Sequence, residues 1–353
     1  MRKVRFAVVG LGTIGRVHIS AVQKAPAAEL VAVVDADAAR AESMGKELGV
    51  PWYTAVEELV AREKIDVVNI CTPSGLHLEP ALAAVKGGCH VLVEKPLEVT
   101  VERCDQIIRA CRRAGVKLGA IFQNRLFDAN RMVWEAVRQQ RFGRLILGVV
   151  NLKWWRSQDY YDAGAWRGTW AIDGGGAVMN QGIHRIDLLQ WLFGEVESVY
   201  AHAACLAHER IEVEDTAVAV LRFKSGAVGS VIASTAAYPG FPARLEVHGD
   251  QGGTVVEDNK IIAWHGQDIS PEEEAQVLGQ FAGEKRAGAM ADPAMLSHIG
   301  HERQIADMAL AVLEDREPMV TGLEARKSVA IIEAIYASAR SGQPVAVSIP
   351  ELM

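Results

Sequence analysis

The feature that most constrains the fold lies near the amino terminus, where the apolar run VRFAVV (residues 4–9) leads without a break into GLGTIGRVH. Gly10, Gly12 and Gly15 form the G-x-G-x-x-G pattern of a strand that turns tightly into a helix. In such a turn the first glycine permits the bend, the second lets a pyrophosphate approach the backbone, and the third lets helix and strand pack closely. The helix N-terminus, at Thr13 and Ile14, then presents unpaired N–H groups suited to a phosphate.

One glycine pattern occurs often by chance, so the segments that follow decide. ELVAVVDAD ends on Asp35, 20 residues beyond Gly15 (35 − 15), where a carboxylate accepts hydrogen bonds from ribose hydroxyls and repels a 2′-phosphate. This predicts NAD as cofactor in preference to NADP. IDVVNICTP (65–73), HVLVEKP (90–96) and VKLGAIFQN (116–124) read as buried strands, separated by helical stretches near 76–87 and 100–114. Strands alternating with helices imply an α/β, doubly wound parallel sheet of Rossmann type, with its ligand beyond the carboxyl ends of the strands. Thr72, Pro73, Ser74 and His77 fall at one such end, and Glu94, Lys95 and Pro96 at another. Ser74 and His77 either line the cleft or shape its loop. Pro96 cannot continue a central strand, so it ends the run and turns Lys95 outward. The expected cofactor contacts are Gly10, Gly12, Thr13, Ile14, Gly15, Asp35, Thr72, Pro73, His77, Glu94 and Lys95.

Past residue 124 the pattern changes. A helix near 128–140 precedes RLILGVVNLKWW, the glycine-rich stretch DGGGAVMNQGIHRIDLLQW (173–191), and two long runs, TAVAVLRFKSGAVGSVIAST and LEVHGDQGGTVVEDNKIIAW. The Ser-Gly and Gln-Gly-Gly punctuation suggests hairpins, hence an α+β domain built on a large, mostly antiparallel open sheet. Helical stretches at about 296–315 and 321–340 close the chain. The expected domains are 1–123 and 124–353, with the C-terminal helices able to pack back on the first. Asn180, His184, Leu188 and Trp191 share one helix face. The three glycines before them read as clearance for a cofactor or substrate. Upstream, Lys153, Arg156 and Arg167 stand among Trp154, Trp155, Tyr160, Tyr161 and Trp166. Aromatic faces suit sugar rings and guanidinium forks suit carboxylate or phosphate, the plainer alternative being a strand with a solvated basic edge.

The formal net charge of −7 argues against nucleic acid or an anionic membrane as partner. No apolar stretch approaches roughly 20 residues and none resembles a signal peptide, so the chain reads as soluble and cytoplasmic. Five cysteines without a C-x-x-C pair read as reduced thiols. His298, His301 and Glu302 imitate a metal site, but the spacing offers no third ligand and no metal is expected.

GLGTIG, TPSGLH followed by VLVEKPL, and GGGAVMNQGIHRIDLLQWLFG, in this order, resemble the glucose-fructose oxidoreductase, inositol 2-dehydrogenase and MocA family over nearly the full chain. The resemblance implies an NAD(P)-dependent oxidoreductase whose open sheet forms a homodimer or homotetramer. It makes Lys95 the lysine of the family's E-K-P motif and His184 the histidine four residues after a usual aspartate, here Asn180. The implied chemistry moves a hydride from a secondary alcohol to the nicotinamide. Neutral His184 takes the hydroxyl proton, since imidazole titrates near 6.5, while Lys95 steadies the oxygen and Asn180 orients it. The expected substrate contacts are Lys153, Arg156, Tyr160, Trp166, Arg167, Asn180 and His184. Loss of a negative charge at Asn180, taken with the arginines, favours an anionic sugar. MNQ, KWWRSQDYYD and WRGTW are similar to the family's UDP-N-acetylglucosaminuronate dehydrogenases, which oxidise the sugar 3-hydroxyl. Two alternatives stand beside this: a glycosidase-like enzyme that oxidises C3 transiently, eliminates and re-reduces with the same NAD, and a non-catalytic NAD-binding regulator.

Overall fold

The structure is a computed structural model that describes residues 2–282 and 298–352. The elements run β1 (Val4–Val9), α1 (Thr13–Lys24), β2 (Ala28–Val34), α2 (Ala38–Leu48), β3 (Trp52–Tyr53), α3 (Val56–Arg62), β4 (Val67–Ile70), α4 (Leu78–Lys86), β5 (His90–Val93), α5 (Val101–Ala114) and β6 (Leu118–Ala120). There follow α6 (Asp128–Arg138), β7 (Leu145–Lys153), α7 (Gln158–Asp162), α8 (Ile183–Phe193), β8 (Val196–Ala204), β9 (Thr216–Phe223), β10 (Val228–Ser234), β11 (Arg244–Gly249), β12 (Gly252–Glu257) and β13 (Lys260–Gly266). The last are α9 (Pro271–Phe281), α10 (Ile299–Leu313), α11 (Gly322–Ser341) and β14 (Val345–Ala346). The expected start of α10 at 296–297 lies outside the described residues.

The chain divides into two compact units. The first takes in the described residues of Met1–Gln123, His298–Val329 and Pro350–Met353; the second takes in those of Asn124–Ser297 and Ala330–Ile349. Residues 298–329 therefore fall with the first unit, although they follow the second in sequence.

In the first unit the strands are ordered β3-β2-β1-β4-β5-β6, and every neighbouring pair is parallel. A parallel sheet covered by its crossover helices buries both faces, which is why these strands are short apolar runs rather than alternating ones. All four residues of β4 are buried. Ile305, Met308 and Ala309 of α10 complete the core formed by Phe6, Val67, Leu92 and Ile121. The run expected as a strand over 116–124 is cut short after Ala120, because Gln123–Leu126 winds into a 3₁₀ turn.

The second unit carries an eight-stranded sheet ordered β13-β12-β11-β7-β10-β9-β8-β14. Six of its seven pairings are antiparallel; β7 and β10 run parallel side by side at the centre. β9 alternates buried and outward residues along its length, the period of a sheet with one packed face. Its outward Val218 and Val220 are exposed. No helix among the described residues is long and apolar enough to cross a membrane.

α8 is fixed from its side by a buried ion pair. Arg125 donates through Nε and Nη2 to the two carboxylate oxygens of Asp187, each at 2.7 Å. The guanidinium also lies 5.1 Å from the ring centre of Trp191, which stacks on Trp134. Two parallel charge-assisted hydrogen bonds define both the turn and the rotation of the helix. Deleting one partner leaves a buried carboxylate without its counter-ion, a loss of about 3–5 kcal/mol. Arg125→Ala is expected to lower stability in urea denaturation by that order. Arg125→Met combined with Asp187→Leu removes both charges and is expected to cost less; an equal or greater loss in the double variant would contradict this.

Candidate active site

In the first unit the three glycines of the opening motif have different neighbours. A Cβ on Gly10, whose φ is +88°, would lie 2.6 Å from the Cys71 carbonyl oxygen, and one on Gly15 would lie 2.0 Å from that of Gly10. Around Gly12 nothing among the described residues comes within 4 Å. The outer two are required by the protein's own packing, while the middle one opens outward beside exposed Thr13 and half-buried Ile14. Among the described residues no side chain caps α1, so its first N–H groups are left for a ligand such as a pyrophosphate. Asp35, at the end of β2, accepts from the backbone N–H of Leu11 (2.8 Å) and Asp37 (2.9 Å). It is thereby tied to the glycine loop. Arg40 stands 3.3 Å from it and softens the negative charge expected to repel a 2′-phosphate.

The loops after β4 and β5 are bound to each other. His77 is buried, its two ring nitrogens each 2.9 Å from a carbonyl oxygen, of Pro96 and of Thr72. Burial pushes its pKa down, and the neutral ring donates through one nitrogen only, to one of these two carbonyls. The Thr72 hydroxyl donates to Leu76 O (2.8 Å), Pro73 is half-buried and Ser74 buried. Glu94 points inward. Its Oε1 lies 2.9 Å from His18 Nε2 and 3.3 Å from His301 Nε2, and its Oε2 accepts the N–H of half-buried Lys95 at 3.0 Å. Burial alone would raise this carboxyl, but the two histidines outweigh it and hold it well below the ordinary range. Burial lowers His18, which as a neutral ring donates to Glu94 and accepts from Asn69 at Nδ1 (3.2 Å). The anion of Glu94 thus steadies the backbone of Lys95 from within.

The ligand atoms of His18, Glu94 and His301 all lie within 4.8 Å of one another, a grouping of metal-site size. The partner that the spacing of His298 and His301 did not reveal comes from two distant segments, and sequence reasoning missed it.

In the second unit the glycine-rich stretch opens as a π-helical turn, Ala177–Gly182, that continues into α8. Its first N–H groups are taken up by Glu214. Gly176 N donates to Glu214 Oε2 (3.0 Å), Val178 N to Oε1 (2.8 Å), and Ala177 N to the Glu214 carbonyl (3.1 Å). Tyr336 adds its hydroxyl to Oε1 at 3.0 Å. A Cβ on Gly176 would lie 1.8 Å from Glu214 O, and one on Gly175 would lie 2.1 Å from the Tyr336 hydroxyl. Where sequence suggested clearance for cofactor and substrate, the bare backbone at Gly175 and Gly176 is needed by Tyr336 and Glu214. Asn180, in the π turn, and His184, in the first turn of α8, are both half-buried.

Beside them stands an aromatic and cationic wall. Arg167 lies 4.2 Å above Tyr160 and 4.6 Å above Trp166, all three half-buried. Lys153 is exposed, 5.8 Å from the Phe241 ring. Arg156 is only 2 % exposed and sits against Trp154 and Tyr160, so it supports the wall from behind. It donates to Gln181 Oε1 (3.1 Å), and Gln181 Nε2 reaches both Tyr160 Oη (3.1 Å) and Asn180 Oδ1 (3.0 Å). The amide of Asn180 in turn donates to Asp173. A carboxyl group, that of Asp173, therefore stands one hydrogen bond from the position where sequence expected a negative charge to be missing. Neither Gln181 nor Asp173 carried a signal beyond proximity in sequence.

Burial raises Glu214 to about 7, outweighing the backbone N–H groups that favour its anion. A folded-state pKa above the unfolded one gives a contribution that is full below about 4.5 and lost as pH rises through about 7. Glu214→Gln removes that dependence. Between pH 5 and pH 7.5 wild type is therefore expected to lose on the order of 2–3 kcal/mol of stability relative to Glu214→Gln in urea denaturation. A gap that does not change with pH would contradict the assignment.

With this geometry in place, the comparisons with known proteins are specific. Residues 4–122 match the oxidoreductase family with NAD-binding Rossmann fold, and residues 130–255 match the GFO/IDH/MocA C-terminal domain. The WlbA dehydrogenase of Bordetella pertussis, solved in complex with NADH and UDP-GlcNAcA, is 35 % identical with a TM-score of 0.90, covering 99 % of each chain. Myo-inositol 2-dehydrogenase of Thermotoga maritima is 33 % identical over 70 % of this chain and 74 % of its own. 1,5-Anhydro-D-fructose reductase of Ensifer adhaerens is 28 % identical over 96 % and 97 % of the respective chains. The chain belongs to the GFO/IDH/MocA family of NAD-dependent oxidoreductases, enzymes that act on CH–OH groups.

Proposed function

We propose that this enzyme oxidises a secondary hydroxyl of an anionic, nucleotide-linked sugar. The observation that carries the reading is the half-buried Arg167 guanidinium laid over Tyr160 and Trp166, in the unit that bears Asn180 and His184. A cation on an aromatic shelf suits a carboxylate or phosphate attached to a sugar ring. The likeness to a dehydrogenase that holds UDP-GlcNAcA, at 35 % identity over 99 % of this chain, supports the same class. NAD, when bound, supplies the hydride acceptor.

In this reading His184 accepts the hydroxyl proton as the hydride leaves, and Asn180 orients the hydroxyl. Lys95, its backbone held by Glu94, stabilises negative charge developing on the oxygen. Gly12, Thr13, Ile14 and Gly15 meet the pyrophosphate, and Asp35 meets the adenosine ribose. The enzyme is expected to form NADH from NAD and UDP-GlcNAcA. His184→Ala is expected to lower turnover on the order of 10²- to 10⁴-fold while NAD binding, read by protein fluorescence, changes little. Comparable turnover in that variant would overturn the role of His184. Cleavage of a glycoside with no net NADH would point instead to the redox-cycling elimination.

The same unit supports self-association. On adjacent strands Tyr200 pairs with Val220, and Val218 and Val228 lie outward nearby, all four exposed on the open sheet. A second copy of this chain covering that apolar face would make the protein a homodimer or homotetramer. Light scattering is expected to show an oligomer that Val220→Glu reduces toward the monomer; a monomeric wild type would contradict this.

A further inference from the structure

Four side chains of the second unit form an ordered chain of hydrogen bonds. Arg156 Nη2 donates to Gln181 Oε1 at 3.1 Å, Gln181 Nε2 donates to Asn180 Oδ1 at 3.0 Å, and Asn180 Nδ2 donates to Asp173 Oδ1. The ends are chemically opposite. A guanidinium can only donate and an ionised carboxylate can only accept, so together they fix the sense of both amides between them. Both ends are 2 % exposed and separately braced. Arg156 Nη1 donates to Trp155 O at 2.9 Å, and Asp173 Oδ2 accepts from Gly168 N at 2.9 Å. A second contact, from Gln181 Nε2 to Tyr160 Oη at 3.1 Å, joins the chain to the aromatic wall.

We propose that Asp173 and Asn180 share one negative charge, and that Asp173, with Arg156 at the far end, is a positioning residue that sets how the Asn180 amide faces a reacting hydroxyl. The proposal rests on the reading that Asn180 meets the substrate. The carboxylate lies behind the amide instead of beside the reacting carbon, so the site keeps its charge balance against Arg156 while offering a neutral group to an anionic sugar. The half-buried Gln181 amide cannot turn over without setting its N–H groups against the guanidinium, nor the half-buried Asn180 amide without setting its oxygen against the carboxylate, and each such mismatch is costly.

The arrangement predicts a reciprocal exchange. Asn180→Asp places two carboxylates within hydrogen-bonding distance, which disfavours having both ionised. Asp173→Asn removes the end that can only accept, so the sense of the Asn180 amide rests on Gln181 Nε2 alone. Combining the two moves the charge by one place: the amide at position 173 donates to the carboxylate at position 180, which still accepts from Gln181 Nε2.

The test is a cycle of wild type, D173N, N180D and D173N/N180D, read first by urea unfolding at neutral pH without substrate. N180D is expected to raise the unfolding constant on the order of tenfold or more, and the double variant to return most of the way to wild type. Additive losses in the double variant, or no loss in N180D, would overturn the shared charge. The second reading is turnover with NAD and UDP-GlcNAcA. D173N is expected to lower kcat about tenfold with KM for NAD changed less than about twofold; an unchanged kcat in the folded variant would overturn the positioning role. If the wild type turns over none of this sugar, the substrate reading fails, and the unfolding cycle still decides the shared charge.

Discussion

A helix that begins inside a protein brings N–H groups that have no partner of their own, and the helix carrying Asn180 and His184 begins in this way. Its first turn is buried from Gly174 to Met179. Glu214 meets the need by accepting three successive N–H groups with both carboxylate oxygens and its own carbonyl, while Tyr336 steadies the carboxylate. Ordinary α-geometry gives way there to a wider π turn, and Asn180 lies in it. The position of both polar residues on this helix follows from that one acceptor, and Arg125 with Asp187 fixes the same helix further along.

The protein therefore contains two glycine-rich helix starts put to opposite uses. At α1 the outer glycines are closed by packing and the middle one opens outward, leaving helix N–H groups for a phosphate. At the π turn the glycines admit the protein's own carboxylate and phenol, and the N–H groups are consumed internally. Both follow from the same need to satisfy unpaired donors. Only the first leaves them to a ligand. Lys95 is likewise held indirectly, through an inward Glu94 that two buried histidines keep ionised.

What could be read in the sequence was what is local. The glycine fingerprint, Asp35 and the alternation of apolar runs with helical stretches led directly to the parallel sheet, because each signal lies within one strand-turn-helix unit. The Ser-Gly turn marked the β9–β10 hairpin for the same reason. The parallel pairing of β7 with β10 joins strands far apart in the chain and left no local trace. The supports of the site were hidden in the same way. Glu214 lies 38 residues from Gly176, Tyr336 lies 122 residues from Glu214, and His18 lies 76 residues from Glu94. Asp173 is close in sequence to Asn180, but the turn that folds it back carries no periodicity. Without it the asparagine read as a lost charge, whereas a carboxyl group lies one hydrogen bond away.

The central claim is that a carbon bearing a secondary hydroxyl of a sugar gives its hydrogen to NAD in this protein. The direct measurement is mass spectrometry of the nicotinamide cofactor after incubation of the enzyme with NAD and UDP-GlcNAcA deuterated at carbon 3. Reduced cofactor heavier by one mass unit is expected. Reduced cofactor without the label would place the oxidation at another carbon, and no reduced cofactor at all would contradict the account.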